Sequence, residues 1–226
     1  MKIKGRYQLI FEEKVWCRDL PLSASRVTAV FISFFILPSL LEKLSLSPGW
    51  CVLLPVLLAL PWCIGSAGQL GIAKTGIKDL RLILASYLSI VALTVIVSPL
   101  WKLLLDFLGA EHVEQQALVS MIASSGTSDR IMIYIGSCLI TPVVEEVVFR
   151  RIIYGWIVDT MPMRSAVLLT SLVFALLHFF IYGIPGVFII GVVLQLVYLF
   201  SKNLLIPIIT HALLNSVVLL ITIFSN

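Results

Sequence analysis

Five ionisable side chains and one amide stand in stretches that are otherwise apolar. Glu145, Glu146 and Arg150 lie in "VVEEVVFRR" (143–151), and His178, His211 and Asn215 follow. Polar groups in a membrane span oppose insertion, by about 2.5–3.5 kcal/mol for a central Asp, and those that are found there face a cavity or a partner. Their spacing suggests how they pair. Glu146 and Arg150 are i, i+4 with the acid first, the better order for an ion pair on a helix. Glu145 points about 100° away from that pair and stays free. His211 and Asn215, also i, i+4, share one helix face. A carboxylate with a histidine can deprotonate a water for direct attack on a carbonyl. A second histidine and an asparagine can donate hydrogen bonds to the oxyanion that develops. No Ser or Cys stands at this level with an obvious base, and the zinc-peptidase signature HExxH is missing. The chemistry that fits is hydrolysis of a peptide bond by an activated water inside a membrane.

The elements that must position these groups are helices. Of 226 residues, 60% are hydrophobic and 12% charged, against the roughly 25% charged usual in soluble domains. Several apolar runs reach the ~20 residues that span a bilayer core, and the strict alternation of a membrane β-barrel is absent. The reading is an all-α, polytopic transmembrane helical bundle, a single membrane-embedded domain over 1–226. Seven spans are expected (a range of six to eight), at about 24–41, 50–68, 82–105, 131–157, 164–183, 185–201 and 204–224. Residues 1–23 form an N-terminal cytoplasmic or interfacial segment, with Tyr7, Phe11 and Trp16 as anchors. No cleavable signal peptide is read there. With the N-terminus inside, inner segments hold thirteen Lys and Arg and outer ones three, namely Lys43, Lys102 and Arg130. That asymmetry sets a cytoplasmic N-terminus in the cell membrane. The net charge of +4 suits anionic lipid heads at the inner face and not nucleic acid. Cys17, Cys51, Cys63 and Cys138 show no CxxC spacing and read as small buried hydrophobes. The longest polar interruption, 102–130, carries a short amphipathic helix in its middle and His112, which is given no role.

Turns act as mirrors, because residues equally far from a hairpin turn lie at similar height. "VDTMPMR" (158–164) is centred near Met161–Pro162, with Glu145 about 16 residues before it and His178 about 16 after. Reflection through "YGIPG" (182–186) and then "SKN" (201–203) lands between His211 and Asn215. Three helices thus bring Glu145, His178 and the His211/Asn215 pair to one level. Pro142, three residues before Glu145, and Pro207, four before His211, are each expected to open their helix toward water.

These residues resemble the CPBP intramembrane proteases, which join the type II CAAX prenyl endopeptidases with the bacterial Abi proteins of bacteriocin processing and self-immunity. Glu145, Glu146 and Arg150 match EExxxR, Phe174 and His178 match FxxxH, and His211 and Asn215 match HxxxN. The resemblance covers about 110–216, the expected catalytic core. It implies that Glu145 activates the water with His178 assisting, and that His211 and Asn215 form the oxyanion site. By the same resemblance Glu146 and Arg150 support that geometry or steady the nucleophile, and Phe174 packs beside His178. The implied enzyme needs no cofactor and acts on a peptide or a membrane-protein segment. Two other readings use the same cluster. One is a zinc endopeptidase with Glu145, His178 and His211 as ligands and water as the fourth. The other is a non-catalytic immunity or partner-binding protein, or a proton relay of transporter type.

Overall fold

The computed structural model describes residues 24–63, 71–110 and 117–225. The N-terminal segment with Cys17, and His112 with the first part of the amphipathic helix, lie outside them. Among the described residues the chain forms helices throughout. Helix α1 (24–43) joins Ala24–Phe31 to Leu37–Lys43 through a wider π-type turn at Ile32–Ile36. It is followed by α2 (Pro48–Cys63), α3 (Ile77–Phe107) and a short α4 (Ala117–Ser124). Next come the long α5 (Thr127–Val158), α6 (Met163–Leu176), α7 (Ile184–Ser201) and α8 (Leu205–Ser225).

Seven of these helices stand where spans were expected, and α4 is the remaining part of the amphipathic segment. Among the described residues four helices are long and apolar enough to cross a membrane: 77–107, 127–158, 181–201 (α7 with the 3-10 turn before it) and 205–224. Helix α6 has 14 residues, about 21 Å at 1.5 Å per residue, short of a ~30 Å hydrocarbon core, and the described part of α2 has 16. The expected span 164–183 therefore stops early, at Leu176. The cause is His178. Its ring Nδ1 takes the Phe174 carbonyl at 2.7 Å, the i−4 acceptor that its own N–H would use in a continuing helix. That N–H turns to Ala175 O instead, and Phe179 follows with φ +49°.

Proline shapes the helices that carry the site, though not always as expected. Pro38 follows the π turn of α1 by two residues, and Pro142 stands in the same relation to a π turn at Ile135–Ile140 in α5. Proline lacks an N–H and crowds the carbonyl four residues back, which favours a wider turn at that point. Pro207 does nothing of the kind. It is the third residue of α8, in the first turn, where backbone N–H groups have no helical partner in any case. The expected opening of α8 near His211 is thus corrected.

Helix α6 packs along α7, α7 on α3, and α3 on α8, while α5 runs between α2 and α8. Polar ties hold the ends. Asp129 at the start of α5 accepts from Ser47 Oγ at 2.6 Å and Gly49 N at 3.2 Å, docking the N-terminus of α2. Asn203, before α8, both accepts from Ala73 N and donates to Ala73 O at 3.1 Å, fastening the segment that leads into α3. Large apolar side chains such as Leu88, Val95 and Phe200 point outward, as a bilayer allows. Cys51, Cys63 and Cys138 are buried. The chain is an all-α, multi-pass membrane protein.

Candidate active site

Glu146 and Arg150 form the foundation. Both are fully buried. Arg150 donates from Nε to Glu146 Oε2 at 2.8 Å and from Nη2 to Oε1 at 3.2 Å, a two-pronged bond within one helix. Its Nη1 donates to the Gly191 carbonyl of α7 at 3.1 Å. The guanidinium carbon also lies 5.3 Å from the centre of the Phe174 ring, within cation–π range. One arginine thereby joins α5, α6 and α7. A buried charge persists only when paired and hydrogen-bonded, and this pair satisfies both conditions.

Glu146 also anchors His211, whose Nδ1 lies 3.1 Å from Glu146 Oε1. This orients the ring so that Nε2 faces the neighbouring acid, 3.7 Å from Glu145 Oε2. That distance is beyond a hydrogen bond, and Glu145 Oε2 is buried with no hydrogen-bond partner among the described residues. Glu145 and His178 both line a cavity of about 600 Å³. The Phe174 carbonyl can only accept, so Nδ1 of His178 carries the hydrogen of that bond, and in the neutral ring Nε2 is the acceptor. Phe174, 1% exposed, meets the His178 ring edge-on at 4.6 Å and the His211 ring at 5.9 Å, and packs on Phe149 at 4.8 Å. Glu145, Glu146 and His211 are thus brought together, with Phe174 against both histidines and His178 across the cavity wall.

Asn215 is placed differently. Its Nδ2 donates to the Ser137 carbonyl at 2.9 Å, about two turns before Glu145 on α5. Neither His211 nor Asn215 is among the residues lining that cavity. The reason for the Asn215 bond lies in Pro142. In the π turn Thr141 N bonds to Gly136 O, five residues back. The next bond in that ladder would join residue 142 to Ser137 O, and a proline cannot make it. Asn215 supplies the missing donor from α8. Tyr134 adds a bond to Ser216 at 3.2 Å on the same flank.

Several contributors were not singled out from the residues. A Cβ built on Gly191 would lie 3.0 Å from Ser171 Cβ and 3.1 Å from Ser171 Cα. Only glycine there lets α7 approach α6 and bring its carbonyl to Arg150. Arg151, also buried, donates to the Tyr198 hydroxyl at 3.0 Å. An isolated glycine in an apolar helix was the available signal for Gly191, while nothing local marks Tyr198. As to zinc, Glu145, His178 and His211 do not converge: among the described residues no three His, Cys, Asp or Glu side chains form a group able to hold a metal ion.

Comparison with known proteins meets the same region. Residues 127–217 match the family model described as type II CAAX prenyl endopeptidase Rce1-like. The membrane-embedded CAAX protease MroQ of Staphylococcus aureus (strain USA300) is 36% identical over 88 residues, 36% of each chain. The putative membrane peptidase YdiL of Bacillus subtilis (strain 168) is 25% identical over 113 residues, 50% of this chain and 44% of that protein. The matches thus span less than half the length of these relatives. No solved structure matches. The stretch that carries every residue of the site, from Glu145 to Asn215, is the stretch that matches the Rce1-like type II CAAX prenyl endopeptidases, and it is set in a multi-pass membrane protein.

Proposed function

We propose that this protein is an intramembrane endopeptidase of the cell membrane that hydrolyses a peptide bond with a water activated by Glu145 and His178, without a metal. The observation that carries this reading is the buried Oε2 of Glu145, without a hydrogen-bond partner among the described residues, beside the cavity that it lines with His178. A carboxylate kept free in this way is available to take a proton. Glu145 removes a proton from the water as the water oxygen adds to the substrate carbonyl carbon. The carbonyl electron pair moves onto its oxygen. Collapse of the tetrahedral intermediate breaks the C–N bond, and the departing nitrogen takes the proton that Glu145 accepted. His178 holds the water through the lone pair on Nε2.

His211 stands between the two glutamates, with Nδ1 3.1 Å from Glu146 Oε1 and Nε2 3.7 Å from Glu145 Oε2. His211 Nε2–H and the second amide hydrogen of Asn215 are the donors assigned to the oxyanion. Glu146 and Arg150 act by holding His211 and α7. The substrate is a peptide or membrane-protein segment. The name of the Staphylococcus aureus relative, a CAAX protease, supports the reaction class.

The test is cleavage of internally quenched peptides by detergent-purified protein, wild type against Glu145→Gln, with and without a zinc chelator. Wild-type cleavage that survives the chelator and is lost in the variant supports the reading. Loss in chelator with recovery on adding zinc refutes the metal-free mechanism. Equal activity in wild type and variant refutes the role of Glu145, and complete inactivity of the wild type favours a binding protein.

A further inference from the structure

The cavity at Glu145 and His178 has two properties that the reaction alone does not require. The first is its second wall, which is α1: Val30, Phe31, Phe34, Pro38 and Ser39 line it. Helix α1 lies wholly outside the matched region 127–217. The second is that the cavity is one-sided. Every α5 residue on it, from Val144 and Glu145 through Phe149 to Ile153, lies at or C-terminal to Val144. The carboxylate therefore stands at one end of a cleft that runs about 12 Å along α5 at 1.5 Å per residue. On the other side of Glu145, α5 is closed against α8 by the Asn215–Ser137 and Tyr134–Ser216 bonds.

Charge narrows the occupant. Among the described residues, Glu145 and His178 are the ionisable groups on the cavity, and no Lys or Arg lines it. Among the described lining no fixed positive charge would pair with an acidic side chain or a terminal carboxylate, and desolvating either without a partner is unfavourable. The rest of the lining is aliphatic and aromatic apart from Ser39. Phe179, next to His178 and 80% exposed, completes the wall from a left-handed backbone position (φ +49°) that is uncommon for a bulky residue and tends to occur at functional sites. The volume of about 600 Å³ is that of a drug-sized ligand, room for a few residues and too little for a whole span.

Resting on the hydrolase reading, we infer that the cleft between α1 and α5 binds an uncharged apolar peptide segment on one side only of the scissile bond, and that α1 sets which side chains are accepted. The substrate is an internal stretch of chain with bulky apolar residues on that flank. In the orientation given by the charge asymmetry, the occupied flank lies toward the cytoplasmic end of α5.

The test uses full-length protein in detergent and two readouts. The first is kcat/KM for quenched peptides carrying Leu/Phe, Ala or Lys residues on one flank or the other, with wild type, Phe34→Trp and Phe34→Ala. The expected result is at least a tenfold preference for the apolar over the Lys series, on one flank only. Phe34→Trp should lower the Leu/Phe peptides about tenfold and spare the Ala peptides, and Phe34→Ala should shift preference toward larger side chains. The second readout is photocrosslinking of a peptide with a benzophenone side chain on that flank to the Glu145→Gln variant, expected at 30–39 and 148–153. Crosslinking there without wild-type cleavage would overturn the hydrolase reading and leave the cleft standing. Cleavage with unchanged preference in both Phe34 variants, or crosslinks on α7 and α8, would overturn the cleft assignment alone. Cleavage only of peptides with a prenylated cysteine would show that the cleft takes the lipid and not the side chains.

Discussion

Glu145 and Glu146 have the same chemistry and adjacent positions, and end in opposite surroundings. A turn of about 100° sends Glu146 into Arg150 and His211 and leaves one oxygen of Glu145 unbonded at a cavity. Their replacements should fail in different ways. Glu145→Gln removes the base and little else, so activity should fall by about 10²–10⁴-fold with the melting temperature in detergent nearly unchanged. Glu146→Ala leaves a fully buried arginine without its carboxylate, and should destabilise the protein by about 3–5 kcal/mol, read as a large drop in melting temperature. Equal stability of the two variants would refute this division of roles.

At the scale of elements, the site depends on two places where helices adjust to one another. The first is Gly191 against Ser171. Gly191→Ala places a methyl about 3 Å from Ser171 Cβ and Cα, so α6 and α7 must part and the carbonyl that Arg150 uses must move. A loss of about 1–3 kcal/mol is expected, measurable by thermal unfolding, with lower kcat as Phe174 and His178 shift. The second is the π turn before Pro142, whose orphan carbonyl Asn215 satisfies. Pro142→Ala restores an N–H at that position, so Asn215→Ala should cost less stability in the Pro142→Ala background than alone. A coupling near 1 kcal/mol, the worth of one hydrogen bond, is expected from the double-mutant cycle. Additive effects would mean that Asn215 does not serve that carbonyl. If Asn215 is also an oxyanion donor, its loss should lower kcat in both backgrounds.

For the whole molecule, the charge asymmetry makes a prediction about sidedness. Lys43, at the end of α1, and Lys78, at the start of α3, lie on opposite sides of the expected topology, and both are exposed. Single cysteines placed there in a background lacking the native thiols should react with a membrane-impermeant maleimide from opposite faces, residue 78 from the cytoplasm. Labelling of both from one face would invert the orientation of the cleft. The short α6 belongs to this scale too: a helix of about 21 Å leaves the bundle thin beside α5, and a thin wall is where water can reach an intramembrane carboxylate.

Much of this arrangement was legible in the residues because it depends on local periodicity. Apolar run lengths located seven helices, i, i+4 spacing paired Glu146 with Arg150, and equal distances from the turns put Glu145, His178 and His211 near one level. The contacts that complete the site are non-local, and no window of sequence contains them. The early end of α6 follows from which group wins the Phe174 carbonyl, the imidazole or the backbone. Asn215 turned to Ser137 because a proline on another helix left a carbonyl bare, and Pro207 proved harmless because the helix began two residues before it. The wall that α1 adds to the cavity has no motif at all. Side-chain spacing decided which groups share a face, whereas competition among donors from different helices decided what each group faces. That competition is resolved only when the helices pack, since in a membrane each buried polar group must find its partner within the protein.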